Sequence, residues 1–328
     1  MSRSVLVTGG AGFIGSHLVR QLIGSGYDVH VLDPYATPQA LPAGVICHQG
    51  SILDDAALEK AMAGRNQVFH LAANARLWAR DPAIFDAINH QGTKRVIMAA
   101  KKAGVRRLVA TSTALILRDW RDRDPSPIAE TDPKPALQGM AGPYSRSKWH
   151  ADEALRRAMG DGLEVVILYP TVPIGSPNGF ITEPTEMLKG FLFNPPPAYL
   201  KTALNLIDVA QTAQAHRIAA EKAPANSRFI LAGETIEFQD LLAILHHISN
   251  KAMPRISIPW WVASLAGQSG DWTARVTGKA PAASVEAVKV AKHPRRFDIK
   301  QAQTILDWAP MPAKEAITRT AKAILGHS

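Results

Sequence analysis

Apolar positions in the first 170 residues fall into short unbroken runs separated by longer amphipathic stretches. Ser4–Thr8 (SVLVT) and Val29–Leu32 (VHVL) read as buried strands, and Leu18, Leu22 and Ile23 recur between them at helical spacing. Val45–Cys47, Gln67–Leu71, Arg107–Thr111 and Glu164–Tyr169 are further strand segments; Asp55–Ala63, Pro82–Ala103 and Tyr144–Met159 carry helical periodicity. Strands spaced by helices in this way predict an α/β fold, a doubly wound parallel sheet covered on both faces with right-handed crossovers. Loop residues cluster at Asp122–Pro135 and Asn194–Pro197, and the alternation breaks down after about residue 175. The pattern predicts one doubly wound domain over residues 1–175. A smaller lobe over 176–328 follows, with some of its segments returning to complete the sheet.

Composition narrows the setting. The chain has 328 residues, 46% of them hydrophobic, enough for a substantial core. Ile258–Gly267 is among the longest apolar runs, and it falls well short of the ~20 residues a membrane span needs. The N-terminus enters a strand-like segment with no targeting pattern before it, so the cytoplasm is the expected compartment. The lone cysteine, Cys47, excludes an intramolecular disulfide and a cysteine-cluster metal site, and reads as a small buried apolar residue. His246, His247 and His293 lack metal-ligand spacing, so no metal is expected.

The net charge of +9 is unevenly placed: residues 279–328 carry 9 cations against 4 anions. No basic stripe with stacking aromatics accompanies them, which argues against a nucleic-acid partner. A solvated basic face, or peripheral contact with an anionic membrane, remain the two readings of that end.

The first chemical signal is Thr8-Gly9-Gly10-Ala11-Gly12-Phe13-Ile14-Gly15, directly after a strand and opening a helix. Gly9 permits a tight turn, Gly12 lets backbone approach a pyrophosphate, and Gly15 allows close packing of the helix. The helix start at Phe13 and Ile14 then offers N–H groups to the phosphates of a dinucleotide. Asp33 ends the second strand, 18 residues past Gly15, where a carboxylate accepts from ribose hydroxyls and repels a 2′-phosphate. No arginine adjoins it. NAD is therefore the expected cofactor, with NADP as the alternative, on a Rossmann-type domain.

The second signal is Tyr144-Ser145-Arg146-Ser147-Lys148. On a helix these ends share a face, and a nearby ammonium favours the phenolate of a tyrosine otherwise titrating near pH ~10. Thr111-Ser112-Thr113 closes a predicted strand with hydroxyls able to hydrogen-bond a carbonyl or alcohol oxygen.

With TGGAGFIG (8–15), HLAA (70–73), NHQGT (89–93), TST (111–113), YSRSK (144–148) and RRFDIKQAQTILDWAP (295–310), the chain resembles the extended short-chain dehydrogenase/reductase superfamily. The resemblance implies that Tyr144 is the general acid/base and that Lys148 binds the nicotinamide ribose. It makes Thr113, ahead of Ser112, the residue that orients the substrate oxygen. It also sets Ser51, Ile52, Leu71, Ala72, Ala73, Asn89, Thr111, Tyr169, Pro170 and Val172 along the cofactor, and implies a homodimer packed through the tyrosine-bearing helix. ARLWARDP (75–82), YPTVPIGSPN (169–178), PAYLKTALNLIDVAQTA (197–213) and ARVTGKAP (274–281) resemble the hopanoid-associated sugar epimerase and dihydroflavonol-reductase-like group.

Three departures bear on substrate. Gly50-Ser51-Ile52 stands where the family has Gly-Asp before Ile, Tyr169-Pro170 where nucleotide-sugar enzymes have Arg-Pro, and Leu115-Ile116-Leu117 where Tyr-Gly is usual. The last two weaken a nucleotide-sugar reading. Trp260, Trp261, Trp272, Phe191, Phe193 and Tyr199 stand in the C-terminal lobe, as core or as the wall of a lipophilic pocket. The leading expectation is hydride transfer between NAD(P) and a secondary alcohol or ketone of a lipophilic or polycyclic small molecule. A sugar or nucleotide-sugar epimerase/dehydratase with tightly held NAD is the first rival, and a non-catalytic cofactor-binding scaffold the second.

Overall fold

A computed structural model describes residues 3–176, 180–281 and 283–326. The first half runs β1 (Ser4–Thr8), α1 (Phe13–Gly24), β2 (Asp28–Asp33), β3 (Ile46–Gln49), α2 (Asp55–Met62) and β4 (Gln67–His70). A long helix follows as α3 (Ala83–Phe85), a π-helical segment (Asp86–Gly92) and α4 (Thr93–Lys102), then β5 (Arg107–Thr111), α5 (Pro143–Ala158) and β6 (Glu164–Pro170). The second half comprises β7 (Val172–Ile174), α6 (Glu183–Phe193), β8 (Ala198–Leu200), β9 (Ala203–Asp208), α7 (Val209–Lys222) and β10 (Ser227–Leu231). After these come β11 (Glu234–Glu237), α8 (Phe238–Ser249), β12 (Ile256–Ile258), α9 (Trp260–Thr277), α10 (Val285–Lys292), α11 (Lys300–Leu306) and α12 (Ala313–Leu325).

Seven strands form one sheet in the order β3-β2-β1-β4-β5-β6-β10, and every pairing is parallel. Alternation within β1 shows how both faces are filled. Val5 and Val7 join Leu18, Val19 and Leu22 of α1 on one side, whereas Leu6 joins Leu58, Val96 and Leu155 on the other. The seventh strand comes from the second half of the chain. A third cluster, including Leu188, Phe191, Tyr199, Phe238, Leu241 and Ile317, forms the core of the lobe between α6, α8 and α12. Cys47, read from the sequence as buried, is only half-buried in β3.

The order of strands reverses direction between β1 and β4. At such a switch point the loops leaving the carboxyl ends diverge and open a crevice, the place where doubly wound sheets bind ligands. Thr8, Asp33, His70 and Thr111 all end strands on this edge.

Candidate active site

The glycine loop is shaped by what it touches. Gly9 has φ +74°, and a Cβ there would lie 2.6 Å from the Ala72 nitrogen. At Gly15 a Cβ would come 2.1 Å from the Gly9 carbonyl oxygen. The turn therefore folds back on itself and against Leu71-Ala72, bringing α1 closer than any side chain permits. No side chain caps α1, leaving its N-terminus to an anion.

Asp33 lies beside this loop. Its Oδ2 accepts from Ala11 N at 3.2 Å and its Oδ1 from Tyr35 N at 2.8 Å. Burial raises its pKa, and the two backbone donors pull it back. Each oxygen retains acceptor capacity toward a ribose hydroxyl. Gly50 N donates to the Asp33 carbonyl at 3.2 Å, which sets Ser51 near the same end, with its hydroxyl accepting from Leu53 N at 3.1 Å. Asp33→Ala should weaken NADH binding roughly tenfold and narrow its advantage over NADPH, read by titrating nicotinamide fluorescence. Equal NADH affinity in the variant would remove Asp33 from the cradle.

Across the crevice, Tyr144 and Lys148 project from α5. The Tyr144 ring meets Phe85 edge-on with centroids 6.2 Å apart. Burial pushes the phenol well above its ordinary pKa; the nearby Thr113 hydroxyl works against this, and the carboxylates of Glu286 and Glu183 add to it. The sequence predicts that Lys148 favours phenolate, but in the chain alone burial prevails and the phenol is a proton donor. Lys148 Nζ donates to the Thr111 carbonyl at 2.8 Å. Burial lowers its pKa to about 8, with the Asp152 carboxylate opposing that fall.

Behind these groups lies a buried polar chain. His70 Nε2 lies 2.9 Å from Thr93 Oγ1, and its Nδ1 lies 2.8 Å from Thr8 Oγ1. Thr93 donates to the Asn89 carbonyl at 2.6 Å, so it must accept from His70. His70 is accordingly a neutral Nε2–H core histidine, its pKa lowered to about 3 by burial. His216, with its pKa lowered to about 4, similarly occupies the Thr111 hydroxyl at 2.7 Å, leaving that residue's carbonyl for Lys148.

Several residues expected along the cofactor have side chains engaged within the protein. Tyr169 is fully buried, donates to Asp152 Oδ1 at 2.6 Å and accepts from Arg156 at 3.2 Å. It belongs to the core under α5, because that helix carries a carboxylate placed to take its hydroxyl. Asn89, 1% exposed within the π-helical segment, accepts from Asn74 N at 2.8 Å. Its amide nitrogen donates to the Asn74 carbonyl at 3.0 Å and to Ser147 Oγ at 2.9 Å. It braces the loop after β4 against α5 instead of facing the crevice. Ile52 is buried against Gly92, and Val172 packs toward the lobe. Pro170 is a buried strand end, and Leu71 and Ala72 are half-buried beside an exposed Ala73. Of YPTVPIGSPN, residues 177 and 178 lie outside the described residues. Ser112, the secondary hydroxyl candidate, is buried with its Oγ unpaired.

Sequence reasoning missed Glu286. This 3% exposed carboxylate on α10 accepts from Tyr144 N at 3.0 Å and Ser145 N at 2.8 Å, closing the N-terminus of α5 from 141 residues beyond it. Glu183, which accepts from Leu77 N at 3.1 Å, was missed as well. Neither stands in a local motif that could have announced it.

The family model for the NAD dependent epimerase/dehydratase family matches residues 5–225. The chain belongs to that family. It is an NAD-dependent enzyme of the extended short-chain dehydrogenase/reductase type. A putative dihydroflavonol 4-reductase of Synechocystis is 30% identical over 97% of this chain and 93% of its own length. The 4-hydroxy-2-methyl-3-oxo-4-farnesyl-3,4-dihydroquinoline-1-oxide ketoreductase of Stigmatella aurantiaca is 29% identical over 87% of this chain and 84% of its own. The crystal structure of gox2253 superposes with a TM-score of 0.85 at 28% identity, covering 100% of this chain and 99% of that one.

The glycine turn, the uncapped helix and Asp33 fit a dinucleotide. Gly9–Gly15 would hold its phosphates, Asp33 its adenosine ribose and Lys148 its nicotinamide ribose. When bound, the nicotinamide supplies or accepts hydride. The chain's own residues would hold the substrate oxygen at Thr113, while burial keeps the proton on the Tyr144 phenol and water away from it.

Proposed function

We propose that this enzyme transfers hydride between NAD(H) and a secondary alcohol or ketone of a lipophilic, polycyclic or chain-bearing substrate, in lipid metabolism. The observation that carries the reading is the apolar contact on the proton-donating phenol, together with the apolar segment that follows Thr113. Phe85 packs on Tyr144, and Ala114, Ile116 and Leu117 are buried directly after Thr113. A polar sugar ring would find no hydrogen-bond partner in Phe85 or in the side chains of that segment. The Stigmatella relative, a ketoreductase by name with a farnesyl group in its substrate, supports the same choice.

The test is a turnover assay with NADH, comparing detergent-dispersed hydrophobic ketones with nucleotide sugars. Net NADH oxidation with the ketones and none with the sugars is expected. Sugar interconversion without net NADH change, by protein that keeps its cofactor through purification, would replace this reading with an epimerase. We further place the enzyme in the cytoplasm, peripheral to the inner membrane face, as a homodimer through α5. The long-range charge on the chain suits the first assignment, and the resemblance supports the second.

A further inference from the structure

Helix α9 wears its large apolar side chains on the outside. Ala263, Gly267, Gly270 and Ala274 form one side, spaced by four, three and four residues. That side is pressed onto α10: a Cβ at Gly267 would stand 3.3 Å from Val288, and one at Gly270 3.1 Å from the Ala283 carbonyl. The opposite side carries Trp261 (67% exposed), Leu265 (56%), Trp272 (70%) and Val276 (69%). At ~100° per residue these four fall within one arc of about 60°, along a stripe roughly 22 Å long. Stability of the fold does not account for this arrangement, because exposed tryptophans gain nothing from it.

Charge indicates what covers the stripe. Arg255 precedes the helix, Arg275 stands on its last turn and Lys279 follows it, all exposed. Arg80 approaches the same end, with Nη1 3.7 Å from where a Gly278 Cβ would be. The single acid of residues 251–279, Asp271, turns inward and accepts from Val285 N at 3.4 Å. By contrast, cations further along the last fifty residues are partly consumed inside the molecule. Arg295 donates to the Asp122 and Asp119 carbonyls at 2.6 and 2.7 Å, and Lys289 lies over Trp120.

We propose that α9 is a membrane-docking helix, which lies in the headgroup region of an anionic bilayer with Trp261, Leu265, Trp272 and Val276 inserted. Indole rings at the headgroup level, aliphatic side chains below them and cations at the rim are the chemistry that such a surface selects. The helix lies on the membrane and does not cross it; among the described residues, no helix is long and apolar enough to span. Its mounting gives docking a consequence. α9 rests on α10, whose Glu286 holds the backbone of Tyr144, so the bilayer would lie one helix layer behind the proton donor. This inference extends the lipophilic-substrate reading by naming where such a substrate would be met.

Vesicle binding is measured on the full chain with NADH and without substrate, so that it can fail independently of the substrate assignment. Co-sedimentation at low salt uses phosphatidylcholine vesicles with and without phosphatidylglycerol. The native chain should sediment with the anionic vesicles and only weakly with the neutral ones. Trp261→Glu/Trp272→Glu should reduce the partition coefficient by at least about tenfold, and Arg275→Glu/Lys279→Glu should abolish the preference for phosphatidylglycerol. An unchanged NADH titration verifies that each variant is folded. The proposal is overturned if the native chain stays in the supernatant, or if the tryptophan variant binds as well as native. It is also overturned if sedimentation velocity shows that these substitutions split a dimer and leave vesicle binding unaffected, because the stripe would then belong to a second copy of the chain.

Discussion

Tyr144→Phe is expected to lower turnover by about 10²–10⁴-fold while NADH binding stays nearly unchanged. The substitution removes one oxygen. The ring keeps its edge contact with Phe85, and Glu286 still accepts from the backbone nitrogens of residues 144 and 145. What disappears is the proton that burial retains on the phenol. A steady-state assay alongside a fluorescence titration separates chemistry from binding. If the variant turned over normally, the acid/base assignment would fail and another group would have to supply the proton. Loss of NADH binding together with turnover would instead show that the phenol supports the cradle.

The second large effect is on stability. Asp152 is wholly buried on α5, yet it is approached by Lys134 at 2.9 Å, Arg156 at 2.6 Å and the Tyr169 hydroxyl at 2.6 Å. Asp152→Ala leaves two cations and a phenol without their shared acceptor, which should cost about 3–5 kcal/mol in urea unfolding. Asp152→Asn should lose less, since the amide oxygen still accepts.

The same substitution has a distinct electrostatic signature. Lys148, four residues earlier, titrates at about 8 instead of its ordinary 10.5 because it is buried, and Asp152 limits that fall. Its ammonium is present below pH about 8 and is lost above. NADH affinity that depends on this charge should decline as pH rises through that value. Without Asp152 the amine titrates lower, so the decline should begin at lower pH, and Lys148→Met should show no such limb. An unshifted limb in the folded variant would disconnect Asp152 from the site.

How far the sequence could be read depended on whether a residue's partners lay nearby in the chain. The central strands and helices were legible because burial on both faces leaves unbroken apolar runs. Gly9 and Gly15 were legible because backbone geometry admits no other residue there. Tyr144 and Lys148 were legible as a pair from their helical spacing, and Thr113 was singled out only by the resemblance. The direction of the Tyr169 side chain was not legible, because a strand residue's direction is set by what faces it, and Asp152 faces it from a different element. Asn89 was found as a residue, but its partners, Asn74 and Ser147, become neighbours only when the π-helical segment sets its amide between them. Glu286 was invisible: nothing within several residues indicates that it closes a helix beginning at Pro143. In the lobe, the apolar run Ile258–Gly267 was visible, but apolar content alone does not reveal that the small residues face inward and the tryptophans outward.

The parallel sheet also sets a timetable for the chain as it is made. β6 is bonded on one side to β5 and on the other to β10, from Ser227↔Val166 to Leu231↔Pro170. More than fifty residues must leave the ribosome after β6 before its outer edge can be covered, and until then a row of unpaired amides is open to any passing strand. The residues matched by the family end at 225, two short of that closing strand. An expression boundary drawn there would retain the whole glycine loop and Tyr144, yet release a protein with a permanently adhesive edge.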